Sequence, residues 1–425
     1  MIKRNLSYYA AAILFFVVTA VQPAKAANPD EGMWLANMVR QLNFEYLKQL
    51  GLELSAEEIY NTENASLKDA VVQLYQGGSG FCTGELVSPN GLMFTNHHCG
   101  YEAIVSQSTT EHNYIDDGFW ARSYAEELPI PGLAIRILYD AKDITDSIAP
   151  KVEGLDMAQR RAKITEIQNR IIARYAEQGY EAEVKSMYYG NQYYVYLYQV
   201  YNDVRLTGAP PSSVGNYGGD TDNWMWPRHT GDFSIFRIYA DKSNNPAEYS
   251  AENVPFRPKK FLKISLDGYK EGDFTMIMGF PGSTERYLTS FGMAEVVNES
   301  NPAQVDVFKA VTDVMKSESD KDEAVRIQLA ADYAQLMNGL KLYKTQVDGM
   351  RRMDAVGIKE AQEKEFMKWA KTQGKSTEEK YQAMFNNFEN AYKNLSTVNT
   401  EFYYKIYSVV LLPTGSFALD FSEVE

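Results

Sequence analysis

His97 and His98 stand side by side, and Cys99 follows them at once. They close the run Gly80-Phe81-Cys82-Thr83-Gly84-Glu85-Leu86-Val87-Ser88-Pro89-Asn90-Gly91-Leu92-Met93-Phe94-Thr95-Asn96. An imidazole suits proton transfer near neutral pH, and a general base must sit within hydrogen-bond reach of its nucleophile. A covalent staple one residue away would fix the backbone that holds the ring. Cys82 and Cys99 are the only 2 cysteines in the chain. In an exported protein such a lone pair reads as one disulfide, which in the chain-entropy model stabilises a fold by roughly 3 kcal/mol. The competing chemistry is a metal site built from Cys99, His97 and His98, but the C-x-x-C and H-x-x-x-H spacings that zinc favours are missing, and no metal is expected.

A second run, Asn216 to Tyr239, strings glycines, indoles and carboxylates together and then enters an alternating apolar stretch. Asp232 stands at the entry. A carboxylate there can accept the imidazole N–H, fix its tautomer and stabilise the imidazolium; a turn hydrogen bond at a strand start explains the same residue equally well. Three serines have glycine beside them. Ser79 precedes the histidines, and Gly282-Ser283 and Gly415-Ser416 lack the second glycine that shapes an oxyanion hole, so all three read as turn or loop serines.

The elements that must position these residues are strands. Val71–Tyr75 and Gly84–Ser88 are short strand-like runs, and Pro89-Asn90-Gly91 turns the chain into Leu92–Thr95, a hairpin ending at the histidines. Further strands are expected at Leu133–Tyr139, Tyr193–Arg205, Phe233–Ala240 and Phe274–Gly279, with a helix inside Met157–Gln178 and one or two leading helices between Asp30 and Leu52. Tyr194, Tyr196 and Tyr198 alternate onto one face, which half-buried strand aromatics explain better than a binding surface. After Pro281-Gly282 the period becomes helical. Val325, Leu329, Tyr333, Leu336, Leu340, Tyr343 and Val347 form one seam; Tyr381, Met384, Phe388, Tyr392 and Leu395 form another, behind a capping box at Ser376 and Glu379.

The chain opens with Lys3 and Arg4, an apolar stretch from Tyr8 to Val21 and the small-residue pattern Ala24-Lys25-Ala26. That reads as a secretory signal peptide cut after Ala26, and the apolar run is shorter than the ~20 residues a membrane span needs. A periplasmic or secreted protein without a membrane anchor is expected. A formal charge of −14 argues against nucleic acid as a partner. The length exceeds what one core serves, so the division is 1–26 signal peptide, 27–290 β-rich region and 291–425 α-helical region.

Thr95-Asn96-His97-His98-Cys99-Gly100, the block Asn223-Trp224-Met225-Trp226-Pro227-Arg228-His229-Thr230-Gly231-Asp232-Phe233 and Gly279-Phe280-Pro281-Gly282 together resemble the bacterial dipeptidyl peptidase 7 and 11 family. The likeness runs from about Asp30 to the end. It implies an α+β chain: a chymotrypsin-like β-barrel catalytic domain, here incomplete, followed by an inserted α-helical domain. It implies His98 as general base and Asp232 as its orienting acid, with Asn223 and Trp224 holding the free N-terminus of a peptide. It implies a serine-type enzyme that releases dipeptides through a Ser ester, needs no cofactor and forms a homodimer.

The sequence departs from that family in one respect. No G-N-S-G-like motif follows Asp232, so the expectation is an incomplete copy that ends before its nucleophile and is inactive alone. The residues that would separate the type-7 preference for apolar residues from the type-11 preference for acidic ones are expected in the same absent part. Two rival readings are a non-catalytic peptide-binding relative and a zinc hydrolase using His97, His98 and a carboxylate.

Overall fold

The structure is a computed structural model and describes residues 34–41, 44–223, 225–282, 285 and 287–410. The expected signal peptide therefore lies outside the described residues. Eleven strands pair antiparallel in one sheet among them. In chain order they are β1 (Val71–Gln76), β2 (Ser79–Leu86), β3 (Leu92–Thr95), β4 (Phe119–Trp120), β5 (Leu128–Pro129), β6 (Ala134–Asp143), β7 (Glu181–Met187), β8 (Gln192–Tyr201), β9 (Asp203–Ala209), β10 (Ser234–Ala240) and β11 (Val254–Pro255).

Local sequence explains the first turns. Gly77 and Gly78 link β1 to β2 with φ of 57° and 82°, the left-handed pair that a two-residue hairpin requires. Gly91 ends the next turn, and a Cβ there would lie 2.8 Å from the Ile238 carbonyl oxygen. From these hairpins the strand order runs β4-β9-β10-β3-β2-β1-β6-β8-β7, with β5 on β9 and β11 on β10. Residues 128–137 join two places in that order. Leu128 pairs with Leu206 of β9, the Ile130 N–H donates to the Val204 carbonyl, and Ile135 then pairs with Leu74 of β1. The circuit β1-β2-β3-β10-β9 thus returns to β1 along one piece of chain.

What fills the circuit follows from the period of two. Val72 and Leu74, Ile135 and Ile137, Val204 and Leu206, and Phe236 and Ile238 are each two apart on their strands, and all belong to one buried cluster with Leu86 and Met93. Helix α1 (His97–Ser106) adds Cys99, Ala103 and Ile104 to it. Outside the circuit, α2 (Thr145–Val152) and α3 (Met157–Ala176) bury Ile148, Val152 and Ile167 with Tyr193 of β8. Tyr194 and Tyr198 are buried as packing residues.

The strand expected across Tyr193–Arg205 is split at Asn202 into β8 and β9. Phe274–Gly279 is not a strand. Its alternation is strand-like, but Ile277 is 100% exposed and no strand among the described residues runs beside it to take its backbone groups.

From Ser290 every described element is helical: α4 (Ser290–Glu295), α5 (Asn301–Ser319), α6 (Glu323–Arg352), α7 (Ala355–Thr372) and α8 (Lys375–Val410), with a π-helical turn at Val296–Ser300. The first seam lies on α6, where Val347 is buried. The capping box at Ser376 does not form, because α8 already begins at Lys375 after Gly374 at φ 104° and so takes Ser376 into its first turn. Near its start, α6 meets the β-rich region. Ile327 joins the strand cluster, and Arg326 pairs with Asp116 at 2.7 Å. Among the described residues no helix is long and apolar enough to cross a membrane.

Candidate active site

The register between β3 and β10 brings the histidines to the aspartate. Thr95 pairs with Ser234, so the residues just beyond β3 face those just before β10. Asn96 occupies the N-cap position of α1 in extended conformation but does not cap it. Its amide reaches across to Asp232, donating to Oδ2 at 3.2 Å and to the main-chain oxygen at 3.3 Å. Ser234 Oγ returns a hydrogen bond to the Asn96 carbonyl at 2.8 Å.

Asp232 does the capping instead. Its Oδ1 accepts the main-chain N–H of His98 at 3.1 Å, and its Oδ2 lies 2.9 Å from Nδ1 of the His98 ring. An ionised carboxylate at a helix N-terminus is favoured by the unpaired N–H groups and the helix dipole. Burial pushes the Asp232 carboxyl up, but the His98 ring and main-chain hydrogen bonds, the His98 charge and the Arg228 guanidinium outweigh it and hold the carboxyl below its ordinary range. Arg228 stands 3.9 Å from Oδ2. With Nδ1 held by the carboxylate, Nε2 of His98 carries the lone pair, and the side chain is 64% exposed, open to a reacting group.

His97 points the other way. It is 2% exposed, and its ring lies against Tyr101 and over Gly215, where a Cβ would come within 2.3 Å of Cδ2. Burial pushes this imidazole below its ordinary value, against the opposing pull of Asp232 and the Pro210 carbonyl. Two residues on, Cys99 has its sulfur at disulfide distance from that of Cys82, with the Cα atoms 6.0 Å apart. Cys82, His98 and Cys99 have donor atoms close enough to share a metal ion. Two sulfurs bonded to each other offer no thiolate, so that set reduces to one imidazole and does not suit zinc.

A histidine on a capped helix thus lies beside an aspartate at a strand entry, with a cysteine pair next to them. The peptidase S46 family model matches residues 29–414. The chain belongs to the peptidase S46 family. It is 47% identical over 368 residues to the dipeptidyl-peptidase 7 of Porphyromonas endodontalis, covering 86% of this chain and 44% of that protein. It is 40% identical over 386 residues to the Asp/Glu-specific dipeptidyl-peptidase of Flavobacterium psychrophilum, covering 90% of this chain and 52% of that one. The crystal structure of P. endodontalis DPP11 in complex with the dipeptide Arg-Glu superposes with a TM-score of 0.81 at 41% identity, covering 90% of this chain and 55% of that chain. The chain thus spans about half the length of the curated relatives it matches.

In this S46 chain Asn223 follows the helical turn Gly219–Asp222, and its amide nitrogen donates to Asn338 Oδ1 on α6 at 2.9 Å. Trp224 lies outside the described residues, as do Ser283 and Ser416. Ser79 begins β2 after the Gly77-Gly78 turn, with its hydroxyl turned to the Gly80 carbonyl at 3.4 Å. Among the described residues the hydrogen bond of the His98 ring goes to Asp232 and none goes to a serine. Beside Asp232 a cavity of about 370 Å³ is lined by Ser213, Val214, Tyr217, His229 and Gly231. Asn96 and Arg228 approach Asp232 and Ser234 holds Asn96; all three lie inside the runs 80–96 and 216–239, where no role was expected of them. The only sequence signal for them is adjacency to His97 and Asp232.

Proposed function

We propose that this S46 chain carries the general base and orienting carboxylate of a serine-type dipeptidyl peptidase, which releases dipeptides from peptides with a free N-terminus. The observation that carries the reading is the double hold of Asp232 on the His98 main chain and ring, an arrangement suited to lifting a proton from a hydroxyl and returning it to a leaving amine. Asn223 and Trp224 are assigned to the substrate ammonium. The strand circuit is read as the first barrel of a chymotrypsin-like fold, spanning 27–290 after signal cleavage near Ala26, and 291–425 as the inserted helical region.

No residue of the chain is assigned as nucleophile. Ser79 stands on the strand before the His98 loop, and Ser283 and Ser416 each lack the second glycine that shapes an oxyanion hole. The proposal therefore includes that these residues alone turn over no dipeptidyl substrate. The relatives' names support peptides as substrates and include both a dipeptidyl-peptidase 7 and an Asp/Glu-specific enzyme at comparable identity.

The test uses protein isolated from its natural source and fluorogenic dipeptides with apolar or acidic second residues, each with a free or a blocked N-terminus. Turnover of the free forms alone, abolished by a serine-reactive phosphonate, is expected. Equal turnover of blocked and free forms would remove the exopeptidase assignment. Peptide binding without turnover would favour a non-catalytic relative.

A further inference from the structure

The first turns of α6 face the β-rich region before the helix joins the bundle. Glu323, Arg326, Ile327 and Ala330 follow the i, i+3, i+4, i+7 spacing that puts side chains on one helix face. Arg326 holds Asp116 with both terminal guanidinium nitrogens, at 2.7 and 3.4 Å. The Asn113 amide donates to Asp116 at 2.8 Å and to Glu323 at 3.4 Å. Beside these polar contacts Ile327 is 8% exposed and Ala330 half-buried, and both pack into the strand cluster that takes Cys99, Ala103 and Ile104 of α1.

Two neighbours therefore set where α1 sits. It lies so close to β10 that a Cβ on Gly100 would come within 2.4 Å of Ser234 Oγ, and α6 packs against it as well. His98 is the second residue of α1, and Asp232 stands just ahead of β10. The two bonds between them, 3.1 Å to the main chain and 2.9 Å to the ring, thus span the contact between helix and strand. A helix free to move off β10 lengthens both. The same face of α6 continues to Asn338 and Lys341, which meet Asn223 and the Thr221 carbonyl in the chain leading to Asp232.

We propose that Ile327 is a positioning residue for His98: its side chain backs α1 against β10 and so keeps the ring on the Asp232 carboxylate. The helical region takes part in setting the pair without touching it. The proposal rests on His98 and Asp232 acting as the pair described under the proposed function, and what Ile327 controls is the tautomer that the carboxylate selects.

The His98 ring can be followed among the 4 histidines by long-range proton–nitrogen NMR at a pH where the rings are neutral. In the wild-type chain it should show the single Nδ1–H pattern. Ile327→Ala leaves a cavity beside α1 and should turn the His98 signals into a mixture of tautomers. Ile327→Val removes one methyl group and should shift the signals less, in the same direction. Val347→Ala truncates a side chain that is buried on the same helix outside the strand cluster, so it should lower the thermal midpoint and leave the His98 pattern as it is. A folded Ile327→Ala chain with the wild-type pattern overturns the proposal, as does a Val347→Ala chain with the same mixture. Should Ile327→Ala not fold, an unchanged pattern in Ile327→Val overturns it. No turnover is read, so a failure of the peptidase assignment would appear as missing activity with the effect of Ile327 on His98 intact.

Discussion

Asp232 holds His98 by two different groups, the main-chain N–H through Oδ1 and the ring through Oδ2. One side chain thereby caps α1 and sets the tautomer of the His98 ring. Asp232→Asn should lower kcat in the active protein by about 10⁴-fold, because an amide can present N–H where the ring needs an acceptor. Steady-state kinetics on free dipeptidyl substrates check it, and a loss below tenfold would mean that the pair is not catalytic.

The same carboxylate should leave a trace in acid stability. Asp232 is held below its ordinary 3.8 in the folded chain, so folding favours its ionised form. Its contribution is complete above that pH and is lost as the pH falls through the lower folded value. Denaturation midpoints measured against pH should show this drop in the wild type, and a smaller one in Asp232→Asn.

A separate limb belongs to His97. Burial keeps it below its ordinary 6.5, so the fold prefers the neutral ring. Stability should be full above 6.5 and decline as the pH falls below it, since the unfolded chain takes up the proton first. His97→Asn should flatten that part of the profile while leaving the limb near 3.8 in place. An unchanged slope between the two would show that His97 does not titrate differently in the fold.

For the cysteines, thiol titration of denatured, unreduced protein should find none free. Cys82 and Cys99 are 17 positions apart, and replacing both by serine should lower the unfolding free energy by roughly 3 kcal/mol in chemical denaturation. Two titratable thiols would revive a metal reading.

Asn223→Ala should lower kcat/KM on free dipeptidyl substrates by about tenfold, the loss of one charge-assisted hydrogen bond. N-terminally blocked substrates should be poor for both proteins and change little. Because the Asn223 amide also meets Asn338, the thermal midpoint measured in parallel separates lost recognition from lost folding.

Much of this was readable from the sequence where the signal is local. The turn at Pro89-Asn90-Gly91, the β6 and β10 runs and the long α3 pattern each rest on neighbours a few residues away. The pair His98 and Asp232 was readable through motifs and resemblance, since each is punctuated by glycine, cysteine or proline. What stayed hidden depends on distant partners. Glu181–Met187 carries two glutamates and a lysine and looks like a loop, yet it pairs with β8 as an edge strand. Phe274–Gly279 has the alternation but no partner strand among the described residues. The link from Val214 to Gly231 is invisible in one dimension because only the fold brings the two together.

The strand pairing also orders events during synthesis. β1, β2 and β3 with the loop closed by Cys82 and Cys99 lie within residues 71–99 and emerge together, but β3 must wait for β10 to complete its pairing, and the His98 ring meets a carboxylate made 134 positions later. A nascent chain stopped anywhere before Asp232 has the histidine without the carboxylate that orients it. The His98–Asp232 pair is therefore withheld until the ribosome has delivered nearly all of the sheet that surrounds it.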